Sequence, residues 1–219
     1  MVEITNVKVY DLRESVIACR NAMRTDPAEY TDEEFEKSLE RAIKLAKSPS
    51  NSGHCSWLKG VRVSFDLKYP QYISKQLQRY HFFDYVASSS MMHRLTYMYA
   101  DKICNKYVSS VCVRQLQEDI DQYNIIAGWQ ELAYPMEFEL RDGETLVAET
   151  KADALYYAYM KCISDCPMGA ELFVRVSTNY LQLRNIYHQR KNHKLREDYG
   201  VFCKFIEELP YFEEFINQK

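Results

Sequence analysis

Gln76 and Arg79 stand three residues apart, with Tyr80 next and Phe83 four beyond Arg79. On a helix these positions fall at i, i+3, i+4 and i+7, so an amide, a guanidinium and two aromatic rings would share one face. Such a face suits a planar anion, because the cation and amide answer its charge while the rings stack on it. The same residues also make an ordinary packed face, with Tyr80 and Phe83 in the core and Arg79 reaching out to water. A second polar set lies near the end of the chain in Asn179, Asn185, Arg190 and His193. If Ser177 or Thr178 caps a helix, a turn of about 100° per residue puts Asn179, Arg190 and His193 within about 40° of one line, with Asn185 on its flank. Arg184, Arg190, Lys191, Lys194 and Arg196 describe a solvated basic helix equally well.

Ser88, Ser89 and Ser90 offer small hydroxyl side chains that let a backbone approach phosphate, and they serve equally as a polar turn. His54 and Cys55 are a nucleophile or ligand pair in type only. No second histidine or acid stands at ligand spacing, so no metal site is expected and a hydrogen-bonded structural histidine is the plainer reading.

The elements that must position these groups are legible in outline. Val61, Val63, Phe65 and Leu67 alternate with Arg62, Ser64, Asp66 and Lys68, which predicts a half-buried strand to about Lys68. Pro70 suits the first turn of a helix running on from Gln71. An earlier strand is expected over Glu3 to Leu12 and a short apolar segment over Ser15 to Met23. Thr31 and Glu34 form a capping-box pattern ahead of a helix to Lys47, with Phe35, Leu39, Ala42, Ile43 and Ala46 as its apolar stripe. A polar loop from Ser48 to Gly53 then delivers His54. Helices are predicted over Leu95 to Lys106 and Val113 to Ile126. A hairpin follows over Met136 to Leu140 and Leu146 to Val147, turning at Asp142 and Gly143. Lys151 to Ile163 is a tyrosine-rich helix broken by Pro167, and Arg196 to Glu208 is the last, with the aromatic run of Tyr211, Phe212 and Phe215 closing the chain against something apolar.

At 219 residues the chain is long enough for one domain, taken as 1–219, with a sizeable core. A net charge of −3 gives no pull toward a nucleic acid polymer or an anionic membrane, and no apolar run is long enough to span one. The N-terminus lacks the layout of a signal peptide. Seven cysteines, odd in number and without paired spacing, read as reduced thiols of a cytoplasmic protein. The 18 tyrosines and ten phenylalanines supply rings for a core, an interface or a stacking site.

The stretch from Gly53 to Arg94 resembles the flavin-dependent thymidylate synthases, whose pattern is a G-H pair, a strand, Q-x-x-R, and the signature R-H-R-x-x-S-x-N-E-x-S-x-R-Y. His54 takes the family histidine, Gln76 and Arg79 the Q-x-x-R, and Ser89 the second signature serine. Tyr80 and His81 stand in place of histidine and arginine, Asp84 in place of serine, Val86 and Ala87 in place of Asn-Glu, and Met91 and Met92 in place of Arg-Tyr. Near the end of the chain the family reads N-x-x-x-x-x-N-x-x-x-x-R followed by histidine, matched here by Asn179, Asn185, Arg190 and His193. A family arginine upstream of the proline is matched by Ile163, leaving Lys161 or Arg175 as the available replacements. The hairpin has no counterpart in the family pattern and reads as an insertion that alters the site or a subunit contact.

The resemblance implies an α/β (α+β) fold, with a central, mostly antiparallel sheet and flanking helices, assembled as a homotetramer. It also implies FAD-dependent reductive methyl transfer to C5 of a pyrimidine deoxynucleotide such as dUMP, with NADPH and methylenetetrahydrofolate as co-substrates. On that reading Arg79 and Arg190 are catalytic. Gln76, Arg79, Ser88, Ser89, Ser90 and Arg190 hold the nucleotide, and His54, Arg79, His81, Asn179, Asn185 and His193 hold FAD. The alternatives are a fold-retaining nucleotide-binding or assembly protein without catalysis, and a related enzyme acting on a cytosine nucleotide.

Overall fold

In the computed structural model, which describes residues 1–49, 52–129 and 133–218, the chain opens with β1 (Glu3–Tyr10), α1 (Leu12–Ala18) and α2 (Asp32–Ala46). It continues through β2 (Arg62–Pro70), α3 (Gln71–Leu77) and β3 (Asp84–Ser88). Two one-turn helices, α4 (Met91–Arg94) and α5 (Ala100–Ile103), lead to α6 (Ser110–Gly128), the strands β4 (Met136–Glu139) and β5 (Thr145–Ala148), and α7 (Lys151–Asp165). The last elements are β6 (Glu171–Asn179), α8 (Tyr180–Arg190), α9 (Arg196–Glu207) and a π-helical turn, Phe212–Ile216. These fall into two compact units, the first made of Met1–Tyr69, Ile73–Ser88 and the segment from Phe173 onward, the second of Pro70–Tyr72 and Ser89–Leu172.

The first unit is built on a sheet ordered β1-β2-β6-β3, in which β1 pairs antiparallel with β2 and β3 with β6. Val63, Phe65 and Leu67 are fully buried, as their alternation requires. Phe65 meets Phe83, Phe202 and Phe205 at ring-centroid distances of 6.0, 6.1 and 4.8 Å, which fastens α9 to the sheet. Each such ring removed from water stabilises the fold by about 1.5–3 kcal/mol. β1 carries a bulge between Thr5 and Lys8, where Asn6 takes φ 52°. Its amide donates to Asp66 at 2.6 Å, and Arg175 donates to the same carboxylate at 3.1 Å. These bonds, Asn6 foremost, hold Asp66 below the usual carboxylate range.

Thr31 caps α2 by accepting the Glu34 N–H at 3.2 Å. The reciprocal half of the expected box is replaced, because the Glu34 carboxylate instead accepts from Arg20 at 3.0 Å and from Arg24. Of the polar loop after this helix, Ser50 and Asn51 lie outside the described residues.

The helix expected from Gln71 past Phe83 stops at Leu77, which corrects the single face drawn through Gln76, Arg79, Tyr80 and Phe83. Bonds from the Tyr80 N–H to the Leu77 carbonyl and from the Phe83 N–H to the Tyr80 carbonyl turn the chain into β3, whose ladder to β6 runs from Asp84 opposite Ser177 to Ser88 opposite Val174. Aromatic and β-branched residues at Tyr85 and Val86 suit that ladder better than another helical turn. The serine run therefore follows a strand and not a helix.

In the second unit α6 packs on α7 around Leu95, Ala100, Ile103, Leu116, Ile120 and Cys162. The β4–β5 hairpin forms where expected and buries Phe138 and Ala148 with Ile126, Ala154 and Ala158. The single helix expected over Leu95 to Lys106 is instead a 3-10 turn, Leu95–Tyr97, and the short α5, with Met98 and Tyr99 extended between them. Side chains of α6 take over the backbone groups this break releases. Gln117 accepts the Ala100 N–H at 2.9 Å, and Asn124 donates to the Thr96 carbonyl at 2.8 Å. All seven cysteines are free thiols, and no helix among the described residues is long and apolar enough to cross a membrane.

Candidate functional site

β6 runs straight into α8, and Asn179 serves both as the last strand residue and as the helix cap. Its side-chain oxygen accepts the Gln182 N–H at 2.9 Å, and the residue is 1% exposed. The helix therefore begins after Asn179 and not at Ser177 or Thr178, which corrects the polar line drawn through Asn179, Arg190 and His193. Nor is α8 a solvated basic helix. Tyr180 to Arg184, Ile186 and Tyr187 are all buried. Arg184, 3% exposed, spends its guanidinium on the carbonyls of Ala46 at 2.6 Å and Ser48 at 3.2 Å and on the Cys55 sulfur at 3.3 Å. It ties off the open carbonyl end of α2 and contributes to structure. Asn185 is half-buried.

At the other end of α8, Gln76 and Tyr80 of the first polar set lie with Arg190 and His193 of the second. Arg190 donates from Nε to the Tyr80 hydroxyl at 2.9 Å, and that hydroxyl donates to Gln189 at 3.1 Å. The guanidinium lies 5.0 Å from the Tyr199 ring centroid and 5.8 Å from that of Tyr80. Tyr199, buried on α9, donates its hydroxyl to the Gln76 side-chain oxygen at 3.1 Å. With that oxygen engaged, the Gln76 amide presents its N–H₂ as the free end. Burial pushes the Tyr199 phenol up to about 12, so it remains a neutral donor.

His193 stands in the turn between α8 and α9, its ring 4.7 Å from that of Tyr199. Its Nδ1 accepts the Leu195 N–H at 3.2 Å, which assigns the proton of the neutral ring to Nε2. Burial, then the Arg190 and Lys194 charges, hold it below the ordinary histidine value. Beside this cluster is a concavity of about 330 Å³ lined by Arg190, Lys191, Asn192, His193, Arg196 and Gly200. Arg190, His193 and, through Tyr199, Gln76 are thus gathered around two tyrosines. The arrangement offers donors and positive charge with flat ring faces, and it can hold an acceptor-rich anion carrying a planar group.

The other expected residues are placed differently. Arg79 lies in the turn after α3, exposed and without a hydrogen bond or ion pair to any described residue, and His81 is exposed in the next turn. His54 is exposed ahead of β2. Ser88 ends β3, whereas Ser89 and Ser90 belong to the second unit, where the Ser90 hydroxyl caps α4 by accepting the His93 N–H at 3.3 Å. Lys161 and Arg175, read as replacements for a missing arginine, are committed elsewhere, Lys161 to Asp119 at 3.4 Å and Arg175 to Asp66 at 3.1 Å. Sequence reasoning missed Tyr199 and Gly200, and read Lys191 and Arg196 only as part of a solvated basic face. The signal that could have found the wall of the concavity was that run of basic residues around Arg190.

The fold is that of the flavin-dependent thymidylate synthases. A solved structure of ThyX from Helicobacter pylori complexed with FAD and dUMP superposes with a TM-score of 0.63 at 15% sequence identity, covering 99% of each chain. A second ThyX structure from the same organism, also with FAD and dUMP, gives a TM-score of 0.60 at 14% identity and covers 99% of this chain and 97% of that one. No family model matches the sequence, and no curated protein matches it.

Proposed function

We propose that the chain acts throughout its length as one flavin-dependent thymidylate synthase-like protein, a cytoplasmic homotetramer that binds FAD and a pyrimidine deoxynucleotide such as dUMP. Its reaction is reductive one-carbon transfer to C5 of the base. The observation that carries the reading is the meeting of Gln76 with Arg190 through Tyr199, on a fold shared with proteins solved with FAD and dUMP.

The donor set fits such ligands, since flavin and uracil edges are rich in carbonyl acceptors and their phosphates are anionic. FAD, when bound, relays reducing equivalents from NADPH to the one-carbon unit supplied by methylenetetrahydrofolate. The residues of the chain bind and orient. Arg190, fixed by Tyr80 and Tyr199, turns its two terminal nitrogens to a carbonyl or phosphate oxygen and stabilises charge that develops there. Gln76 donates its N–H₂ to the nucleotide. Arg79 reaches the ligand from solvent, with Ser88 as a further nucleotide contact. His54, His81, Asn185 and His193 hold FAD, while Asn179 serves by starting α8 where it does.

Flavin absorbance in the purified protein, or uptake of added FAD, tests the binding step, and tritium release from C5 of labelled dUMP tests the reaction. Arg190→Ala is expected to weaken nucleotide binding about tenfold to a hundredfold, the worth of one charge-assisted contact of about 1.5–3 kcal/mol. A colourless protein that takes up no FAD and releases no tritium sinks the enzyme reading.

A second reading, nucleotide binding or assembly without catalysis, is favoured by the engagement of Lys161 and Arg175 in other ion pairs and by the 64% exposure of Val86 in place of a polar signature residue. Nucleotide binding without tritium release selects it. Release from a cytosine nucleotide alone selects the related enzyme.

A further inference from the structure

The concavity beside Arg190 has more positive charge than the motif residues account for. Arg190 closes α8, Lys191 and His193 follow in the turn, and Arg196 and Gly200 are one helical turn apart at the start of α9. No carboxylate is among the lining residues. Arg196 makes no hydrogen bond or ion pair with a described residue, and the Lys191 ammonium sits 5.5 Å from the centroid of the Tyr187 ring. Gly200 supplies the open wall, because a Cβ built there meets nothing within 4 Å. A volume of about 330 Å³ holds a tetrahedral oxyanion with its nearest waters and is at the small end for a larger ligand.

We propose that this concavity is a binding site for a phosphoryl group, held by Arg190, Lys191 and Arg196 with His193 Nε2 as a further donor. The proposal rests on the nucleotide-binding reading for the source of that group, a nucleotide monophosphate or the diphosphate of the cofactor. Binding is linked to protonation. His193 faces Arg190 from α8, Lys194 from its own turn, and Tyr199 and Arg196 from α9, so its surroundings in the free protein are positive or neutral. A bound dianion reverses that field and favours the imidazolium, in which Nε2 still donates while Nδ1 gives up its bond from Leu195.

Sulfate is the probe that separates these effects, since it is a tetrahedral dianion whose own charge is constant between pH 5.5 and 8. Titration calorimetry at low ionic strength is expected to show one site whose affinity rises as pH falls and weakens with added sodium chloride. Arg196→Gln and Gly200→Glu are each expected to weaken it about tenfold, the second by placing a carboxylate at the opening from a position where a Cβ meets nothing within 4 Å. His193→Gln is expected to keep binding at pH 8 and lose its rise at pH 5.5. Thermal unfolding checks that each variant is folded.

Competition then identifies the source. Displacement of sulfate by dUMP assigns the site to the nucleotide phosphate, and displacement by FAD assigns it to the cofactor. Sulfate binding displaced by neither leaves the phosphoryl site standing and separates it from the flavin and nucleotide reading, which FAD uptake tests on its own. The proposal is overturned if wild-type protein binds no sulfate, or if the Arg196→Gln and Gly200→Glu variants bind it as tightly as wild type, even where FAD binds.

Discussion

The turn after α3 and the C-terminal end of α8 each carry an arginine expected at the site, and they hold it in opposite ways. Arg79 stands in solvent with its guanidinium unattached to any described residue. Arg190 is bonded to Tyr80 and lies against two rings. A mobile guanidinium loses rotamer freedom when it meets a ligand, whereas one already fixed loses little. The α8 end is therefore pre-organised, whereas the arginine of the α3 turn is not. A third arginine, Arg184, marks the limit of the series, because it is buried and bonded to two backbone carbonyls and a sulfur.

The largest effect is expected at that limit. Arg184→Met leaves the Ala46 and Ser48 carbonyls without their donor and should lower stability by about 3 kcal/mol, read as a shift in urea midpoint at unchanged slope. Arg79→Met should move the same midpoint by less than about 0.5 kcal/mol. An equal loss at both positions would erase the distinction between them.

Lysine tests whether position or charge matters at the site. Arg190→Lys keeps the charge but loses the Nε bond and the stacked plane, so ligand affinity should fall about tenfold, against about twofold or less for Arg79→Lys. Tyr199→Phe keeps the ring under Arg190 and frees Gln76, at a cost of about 1 kcal/mol in ligand binding. Tyr199→Leu removes the ring as well and should exceed it.

The smallest expected effect is on pH. Because the folded protein holds His193 below its ordinary value of 6.5, the unfolded chain takes up a proton first as pH falls. The contribution of this group is then fully present above about pH 6.5, is lost as pH falls below it, and levels off below the folded value. Solvent screening of a half-buried ring keeps the change small. Chemical denaturation across pH 5 to 8 should show this part of the slope disappear in His193→Gln.

β1 and β2, α2 with its Thr31 cap, the β4–β5 hairpin and the long helices α6, α7 and α9 were legible because local pattern and tertiary demand agree there, whereas β3 and β6, the other half of the sheet, were not. The end of α3 was not, since Arg79 to Phe83 continue a helical spacing while the sheet offers the next residues a ladder. The burial of α8 was not legible either. Arg184, Arg190, Lys191, Lys194 and Arg196 read as a solvated basic face, and only the carbonyls at the end of α2 give Arg184 a reason to be inside. At the site, spacing pointed to Gln76, Arg190 and His193, but their link runs through Tyr199, a residue that no motif singled out.

Alternation, capping residues and turn chemistry act over a few residues, so β1, β2, α2, the hairpin and the long helices were present in the chain itself, while β3 and β6 were not. Which polar groups meet is a long-range matter, decided when Gln76 and Tyr199, 123 positions apart, come within 3.1 Å. A buried donor or acceptor must find a partner wherever the packed chain provides one, and only the folded structure determines which partner is in reach.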